Sequence, residues 1–307
     1  MQNGVDYLNS ACDHLRLGRP TPRGLKYAVL HLQAAVEVLL KTRLQQEHWS
    51  LVLKDPGTAK RERFEAGDFD SCTTAAAIAR LRDIAGVAID DKSAKSLAIL
   101  SKWRNALQHY GLKAPARAIE TRAAQVLDFL ITFVHDELLP SLPAPEADAV
   151  EDDLTAVGFK VRGIQGYIDT RLKRLGEELK DFRDRTLRCP DCDQWALVIR
   201  DGTDVIDCRF CHARYYGPDQ AIFHWAQVYA LQQSVDFVKC PECSETELSM
   251  VGVRVLAAPD EDRLICGHCG HHFDVIELCS ACGTPYQPGE DDLGLCNGCF
   301  STHYARF

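Results

Sequence analysis

Cys189-Pro190-Asp191-Cys192 is the first of six Cys-x-x-Cys pairs in the last third of this chain; Cys208/Cys211, Cys240/Cys243, Cys266/Cys269, Cys279/Cys282 and Cys296/Cys299 follow. A two-residue gap lets both sulfurs of a pair face one ion from a tight turn, and two such turns complete a tetrahedron. In chain order the six pairs make three sets of four, with 15, 22 and 13 residues between the inner cysteines. This spacing predicts three zinc ions, each held by four thiolates; an iron–sulfur cluster is the other metal chemistry open to such a set. Four protein ligands leave zinc no open position, so the expected metal is structural rather than catalytic. His212, His268, His271 and His272 lie near the pairs and could replace a ligand, yet each set already has four sulfurs. Gly267, Gly270, Gly283 and Gly298 suit the turns. Cys12 and Cys72 stand alone and read as core or surface thiols.

The segments between the pairs read as short strands: Trp195 to Ile199, Asp204 to Ile206, Leu248 to Leu256 and Arg263 to Ile265. Strands joined by Cys-x-x-Cys turns are the grammar of zinc ribbons. A helix is expected from Asp219 to Gln233, between the first set and the second. The expected modules are a first ribbon with its helix over 189–239, a second over 240–275 and a third over 276–307. Modules this small draw much of their folding energy from the metal.

Upstream, residues 1–140 read as an all-helical domain. Leu25, Val29, Leu32, Val36, Leu39 and Leu40 recur at helical spacing. So do Ala76, Ile78, Leu81 and Ile84, then Leu97, Leu100, Trp103 and Leu107, then Val126, Phe129, Leu130 and Phe133. The last of these helices should stop near Leu139-Pro140. A loop is expected from about Leu53 to Ser71, with Asp68 or Ser71 capping the helix after it. Residues 141–188 are expected to be linker and connecting helix. Pro143, Pro145 and several acids mark an irregular stretch up to Asp153, and a helical pattern then runs from Leu154 to Phe182. That helix is either an arm or an additional helix packed on the first domain. The fold class expected is mainly α, a helical bundle followed by small β zinc ribbons in an α+β multidomain chain.

Charge separates the two ends. The net charge of −9 divides into +3 over residues 1–140, −1 over 141–188 and −11 over 189–307. Nonspecific nucleic-acid binding normally uses cationic surface, so the acidic tail is not expected to be a general nucleic-acid grip. A scaffold, a regulatory element or a dock for a protein partner fits it better. No apolar run approaches the roughly 20 residues needed to cross a bilayer, and the first residues lack the basic-then-apolar pattern of a signal peptide. With the paired cysteines, this gives a cytoplasmic expectation and no membrane partner.

One short motif carries chemistry: Trp103-Arg104-Asn105-Ala106-Leu107-Gln108-His109-Tyr110-Gly111, at the end of a helical stripe. An earlier helix places Glu37 inside the apolar run Ala35 to Leu40, with Lys41 four residues on. Together these resemble the HEPN family over roughly residues 5–140. Arg104, Asn105 and His109 match its Arg-Asn-x3-His motif. The resemblance implies a metal-independent endoribonuclease, a toxin or defence effector, with Arg104, Asn105 and His109 as catalytic residues. It further implies RNA as substrate, a 2′,3′-cyclic phosphate product and a homodimer in which both copies of the motif line one cleft. Tyr110 directly after His109 departs from the His-x-Tyr continuation of some toxin members.

The residue types suit that chemistry. A histidine moves protons near neutral pH, and an arginine offsets charge on a phosphoryl group. Helix geometry sets a condition: positions five apart lie about 140° around the axis, so Arg104 and His109 do not share a face. Glu37 reads either as a polar partner of the motif or as an ion pair with Lys41. The alternative reading of the whole chain is a non-catalytic HEPN-like dimerisation or nucleotide-binding module whose zinc ribbons dock a protein partner.

Overall fold

The computed structural model describes residues 1–16, 20–109, 111, 114–289 and 293–304. Tyr110 lies outside them. The chain forms two compact units, residues 1–171 and 172–307. Among the described residues no helix is long and apolar enough to cross a membrane.

The first unit is built on α2 (Pro22–Glu47). Thr21 starts it by accepting the Gly24 N–H at 3.0 Å, with Pro22 in the first turn, where a missing N–H costs nothing. Leu25, Val29, Leu32, Val36, Leu39 and Leu40 are all buried, as their spacing predicts. Around this helix pack α1 (Gln2–Leu15), α4 (Thr74–Asp83), α5 (Asp91–His109) and α6 (Ala116–Phe133). The α4 stripe sits slightly off expectation: Ala77, Ile78 and Leu81 are buried while Ile84 is 55% exposed. Beyond α6 a π-helical turn, Val134–Leu138, and a 3-10 turn, Leu139–Ser141, end the helix near the expected proline.

Two expectations are corrected here. The stretch from Leu53 to Ser71 is more ordered than a loop. It holds the short helix α3 (Arg61–Glu65), and Leu53 bridges Ser71 as a fragment of antiparallel sheet. Arg80 of α4 fixes its base by donating to the carbonyls of Leu51, Leu53 and Lys54. The cap of α4 is Thr73, which accepts the Ala76 N–H at 3.2 Å, and neither Asp68 nor Ser71.

The acidic stretch after Pro143 is helix rather than irregular linker. It forms α7 (Ala144–Val161), which packs on α1 through buried Val150, Leu154, Val157 and Val161. Pro143 stands at the N-cap and Pro145 in the first turn, where proline is tolerated, so neither breaks this helix. The additional packed helix is thus the outcome for residues 144–161. Next comes α8 (Gln165–Glu178), and the division between the units falls after Arg171 within it. Arg171 is fully buried and pairs with Asp128 at 2.8 Å, and also donates to Thr132.

In the second unit, β1 (Thr186–Arg188), β2 (Trp195–Val198), β3 (Val205–Cys208) and β4 (Arg214–Tyr216) lead to α9 (Pro218–Tyr229). Then follow β5 (Phe237–Val238), β6 (Leu248–Ser249), β7 (Val253–Val255), β8 (Ala258–Ile265) and β9 (His272–Phe273). Last are β10 (Glu277–Leu278), β11 (Pro285–Tyr286) and α10 (Asn297–Tyr304). The first two ribbons are not separate sheets. Leu187 of β1 pairs with Leu197 on one side and Val255 on the other. One antiparallel sheet results, in the order β4-β3-β2-β1-β7-β8-β9. Helix α9 packs on β3, β4 and β7, so it bears on strands of both ribbons. The third ribbon keeps its own small β10–β11 sheet.

Candidate functional site

The cysteines gather into Cys189/Cys192/Cys208/Cys211, Cys240/Cys243/Cys266/Cys269 and Cys279/Cys282/Cys296/Cys299, with the sulfurs of each group within 4.8 Å of one another. Pairing is therefore sequential. Zinc–sulfur bonds of about 2.3 Å at tetrahedral angles place the sulfurs about 3.8 Å apart. The separations are 3.8 Å for Cys189–Cys211, 3.7 Å for Cys192–Cys208 and 3.7 Å for Cys243–Cys266. They are 4.0 Å for Cys240–Cys269 and 3.7 Å for Cys282–Cys296. A disulfide would need about 2.05 Å. The three groups fit three structural zinc ions. Burial pushes the Cys208 thiol well above its ordinary range; a coordinating dication deprotonates such a thiol outright.

Five of the six pairs share one turn. The leading cysteine N–H donates to the carbonyl five residues on, and its carbonyl accepts the N–H four residues on: Cys189 with Gln194 and Asp193, Cys208 with Ala213 and His212, Cys240 with Glu245 and Ser244. Cys266 and Cys279 repeat this with His271 and Gly270, and with Thr284 and Gly283. The fourth residue after the leading cysteine takes positive φ each time: 64° at Asp193, 60° at His212, 68° at Ser244, and 71° at both Gly270 and Gly283. Glycine tolerates this region freely, and Asp and His enter it more readily than most residues. Gly270 and Gly283 thus serve the turns as expected. Gly267 and Gly298 do something else. A Cβ at Gly267 would collide with Pro218 at the start of α9. Gly298 lies in α10, which the sixth pair, Cys296/Cys299, opens instead of making a turn. The nearby histidines are not in the quartets; His272 instead meets Arg263 at 2.9 Å. Cys12 and Cys72 are both buried thiols of the first unit, and burial pushes Cys12 up to about 12.

Arg104, Asn105 and His109 all lie on α5. The helix is regular through them, and Gly111, at φ 90°, ends it by donating to the Ala106 carbonyl at 2.8 Å. Arg104 and His109 therefore keep the separation of about 140° that five helical residues impose. Arg104 reaches α2, where its Nη2 donates to Glu37 Oε1 at 2.7 Å. Its Nη1 donates to Asn105 and Gln108 at 3.1 and 3.2 Å. Asn105 and His109 are exposed.

Glu37 is the residue that ties the motif to α2. It serves both readings of its role, since its second oxygen meets Lys41 at 3.4 Å. Burial raises its carboxyl, but the Gln33 hydrogen bond, the Lys41 charge and Arg104 outweigh this and hold it below the usual carboxylate range. Gln33, buried, extends the network: it donates to Thr74 at 3.1 Å and accepts from Ser101 at 3.0 Å. These groups border a cavity of about 580 Å³ between α2, α4 and α5, whose apolar wall includes Ile78, Ala94 and Ala98. Arg104 and Asn105 line it. Gln33, Thr74 and Ser101 carry no sequence motif, and only the fold assembles them. No family model matches the chain, and no curated protein or solved structure proves similar to it.

Proposed function

We propose that the helical unit is a metal-independent endoribonuclease of HEPN type that works as a homodimer, as a toxin or defence effector, and that the zinc-held unit recognises or restrains. The reading rests on the resemblance of the α5 motif to that family. The observation that supports it best is the Arg104–Glu37 contact of 2.7 Å, which anchors the arginine while His109 stays exposed at the end of the same helix. A guanidinium carries five N–H donors, and the contacts made by Nη1 and Nη2 leave donors for phosphate oxygens.

The roughly 140° between Arg104 and His109 is why two copies are invoked: each copy's arginine and histidine would complete the other's cleft. There the RNA 2′-oxygen bonds to phosphorus while the bond to the 5′-oxygen breaks. One His109 takes the 2′-hydroxyl proton and His109 of the second copy protonates the departing oxygen. The products are a 2′,3′-cyclic phosphate and a 5′-hydroxyl. Arg104 offsets charge on the phosphoryl oxygens, and Asn105 donates to the substrate.

A second reading draws on the same ion pair. Glu37 already balances Arg104, as it would in a non-catalytic dimerisation or nucleotide-binding module whose ribbons dock a protein partner. Cleavage of RNA by the purified zinc-loaded chain, without added divalent ions, separates the two. Removing a general acid–base group costs roughly 10²–10⁴-fold, so His109→Ala is expected to lose at least about a hundredfold, and Arg104→Ala to fall with it. Hydrogen-exchange protection of α2 and α6 in each variant serves as the folding control, since Arg104 and His109 lie in the helical unit. Equal cleavage by all three proteins, or none by any, would contradict the ribonuclease and favour the second reading.

A further inference from the structure

Joining the first two ribbons through β1 and β7 creates a cavity of about 480 Å³ that neither ribbon has alone. It is lined by Arg188, Trp195, Trp225, Tyr229, Arg254 and Asp262, drawn from β1, β2, α9, β7 and β8. Trp225 is 3% exposed, and its indole N–H has no acceptor among the described residues. A buried donor without a partner is costly, and Trp225 is one of the residues that line the cavity. The rings of Trp225 and Tyr229 lie 5.4 Å apart, and the Arg188 guanidinium stands 5.3 Å from the Tyr229 ring.

We propose that this cavity binds a single nucleotide unit. A flat heteroaromatic base suits walls made of Trp195, Trp225 and Tyr229, and its ring nitrogens and carbonyls supply the acceptor that Trp225 lacks. Arg188 and Arg254 suit the phosphate. They now meet Asp193 at 2.6 Å and Asp262 at 2.9 Å. Both pairs are exposed, and such pairs contribute little, so exchanging a carboxylate for a phosphate is easy. Asp262, released from Arg254, can accept from a ribose hydroxyl or a base amino group. The unit's acidic balance argues against a long polyanion and leaves room for one nucleotide at two local arginines. The nucleotide comes either free or as one residue of an RNA strand. This inference does not depend on the ribonuclease reading.

Trp195 and Trp225 are the only tryptophans beyond Trp103, so the full-length zinc-loaded chain carrying Trp49→Phe and Trp103→Phe reports on this cavity by fluorescence. Titration with 5′-mononucleotides is expected to quench it with a Kd below about 1 mM. Trp195→Ala should weaken binding roughly tenfold or more, and the exposed Arg254→Glu should also weaken it, with zinc content unchanged. Nucleosides and ribose 5-phosphate should bind less well than the whole nucleotide. Short oligonucleotides binding much more tightly than mononucleotides would identify an RNA strand as the source; equal affinity would identify the free nucleotide. Three results would overturn the proposal: no quench by any nucleotide, quench undiminished by Arg254→Glu, or quench by an acidic peptide alone.

Discussion

Residues 1–171 bury one continuous apolar surface along α2, against which α1, α4, α5 and α6 pack. Residues 172–307 rely on sulfur instead, and increasingly so along the chain. Around the first quartet in sequence, Leu187, Leu197, Ile206, Phe210 and Trp225 are all buried. The second has a core of Leu248, Phe273 and Ile276 with two of its own cysteines. In the third quartet Cys279 alone is buried and Cys282 is exposed. Short segments cannot bury enough apolar surface to offset the entropy of ordering them, and a metal bound by thiolates supplies the difference. The contrast teaches where each half is vulnerable: the helical unit to packing defects and buried charge, the cysteine-rich unit to loss of its ions.

Chelation should break that comparison open with the largest effect. Structural zinc contributes roughly 10–16 kcal/mol of apparent binding energy per site in small modules. Stripping the metal is therefore expected to abolish amide protection in β1–β9 while α2 and α6 keep theirs, read by hydrogen exchange on the full chain. Protection in the third ribbon should vanish first, because its sulfurs are the least covered. Simultaneous loss across both units would mean that the helical unit also depends on metal.

Next in size is Asp128→Ala. It takes the carboxylate from Arg171, whose side chain is 1% exposed, while the neutral Thr132 hydroxyl stays in contact with the buried charge. Removing one member of a buried pair costs about 3–5 kcal/mol, so denaturant unfolding of the helical unit should shift by that order while zinc content holds. Asp128→Asn, which keeps an acceptor, should cost less.

The smallest expected effect concerns Glu37. Its folded-state carboxyl lies below the ordinary range, so its ionised form stabilises the fold. That contribution is fully present above the unfolded value of about 4.3 and is lost as pH falls through the lower folded value. Wild type should thus exceed Glu37→Gln in stability by a constant amount above about pH 5, and the gap should close on acidification below it. A gap independent of pH would show that hydrogen bonding rather than charge holds Arg104.

Much of this was legible in the residues, for physical reasons that differ by region. Six Cys-x-x-Cys pairs leave few ways to make quartets, and the short reach of each turn favours neighbours. The α2 stripe is long and strictly periodic, hence readable. The merged sheet was not readable, because β1 is only Thr186–Arg188, too short to show alternation. The turn positions at Asp193, His212 and Ser244 were missed because glycine is the usual mark of positive φ. The α7 helix was hidden by Pro143 and Pro145, which mark linkers and first turns alike. In α1, Val5, Leu8, Cys12 and Leu15 carry the same helical spacing and are buried. Glu37 stood out as an acid in an apolar run, but Gln33, Thr74 and Ser101 come from three helices and meet only in the fold.

The central claim is that three metal ions hold the cysteine-rich unit and that the helical unit needs none. Native mass spectrometry of the folded full-length chain, with elemental analysis, tests it most directly. Three zinc ions per chain are expected, falling to two when Cys279 and Cys282 are replaced by serine, with α2 and α6 still protected. Two or fewer ions in folded wild type, or iron with acid-labile sulfide in place of zinc, would contradict it.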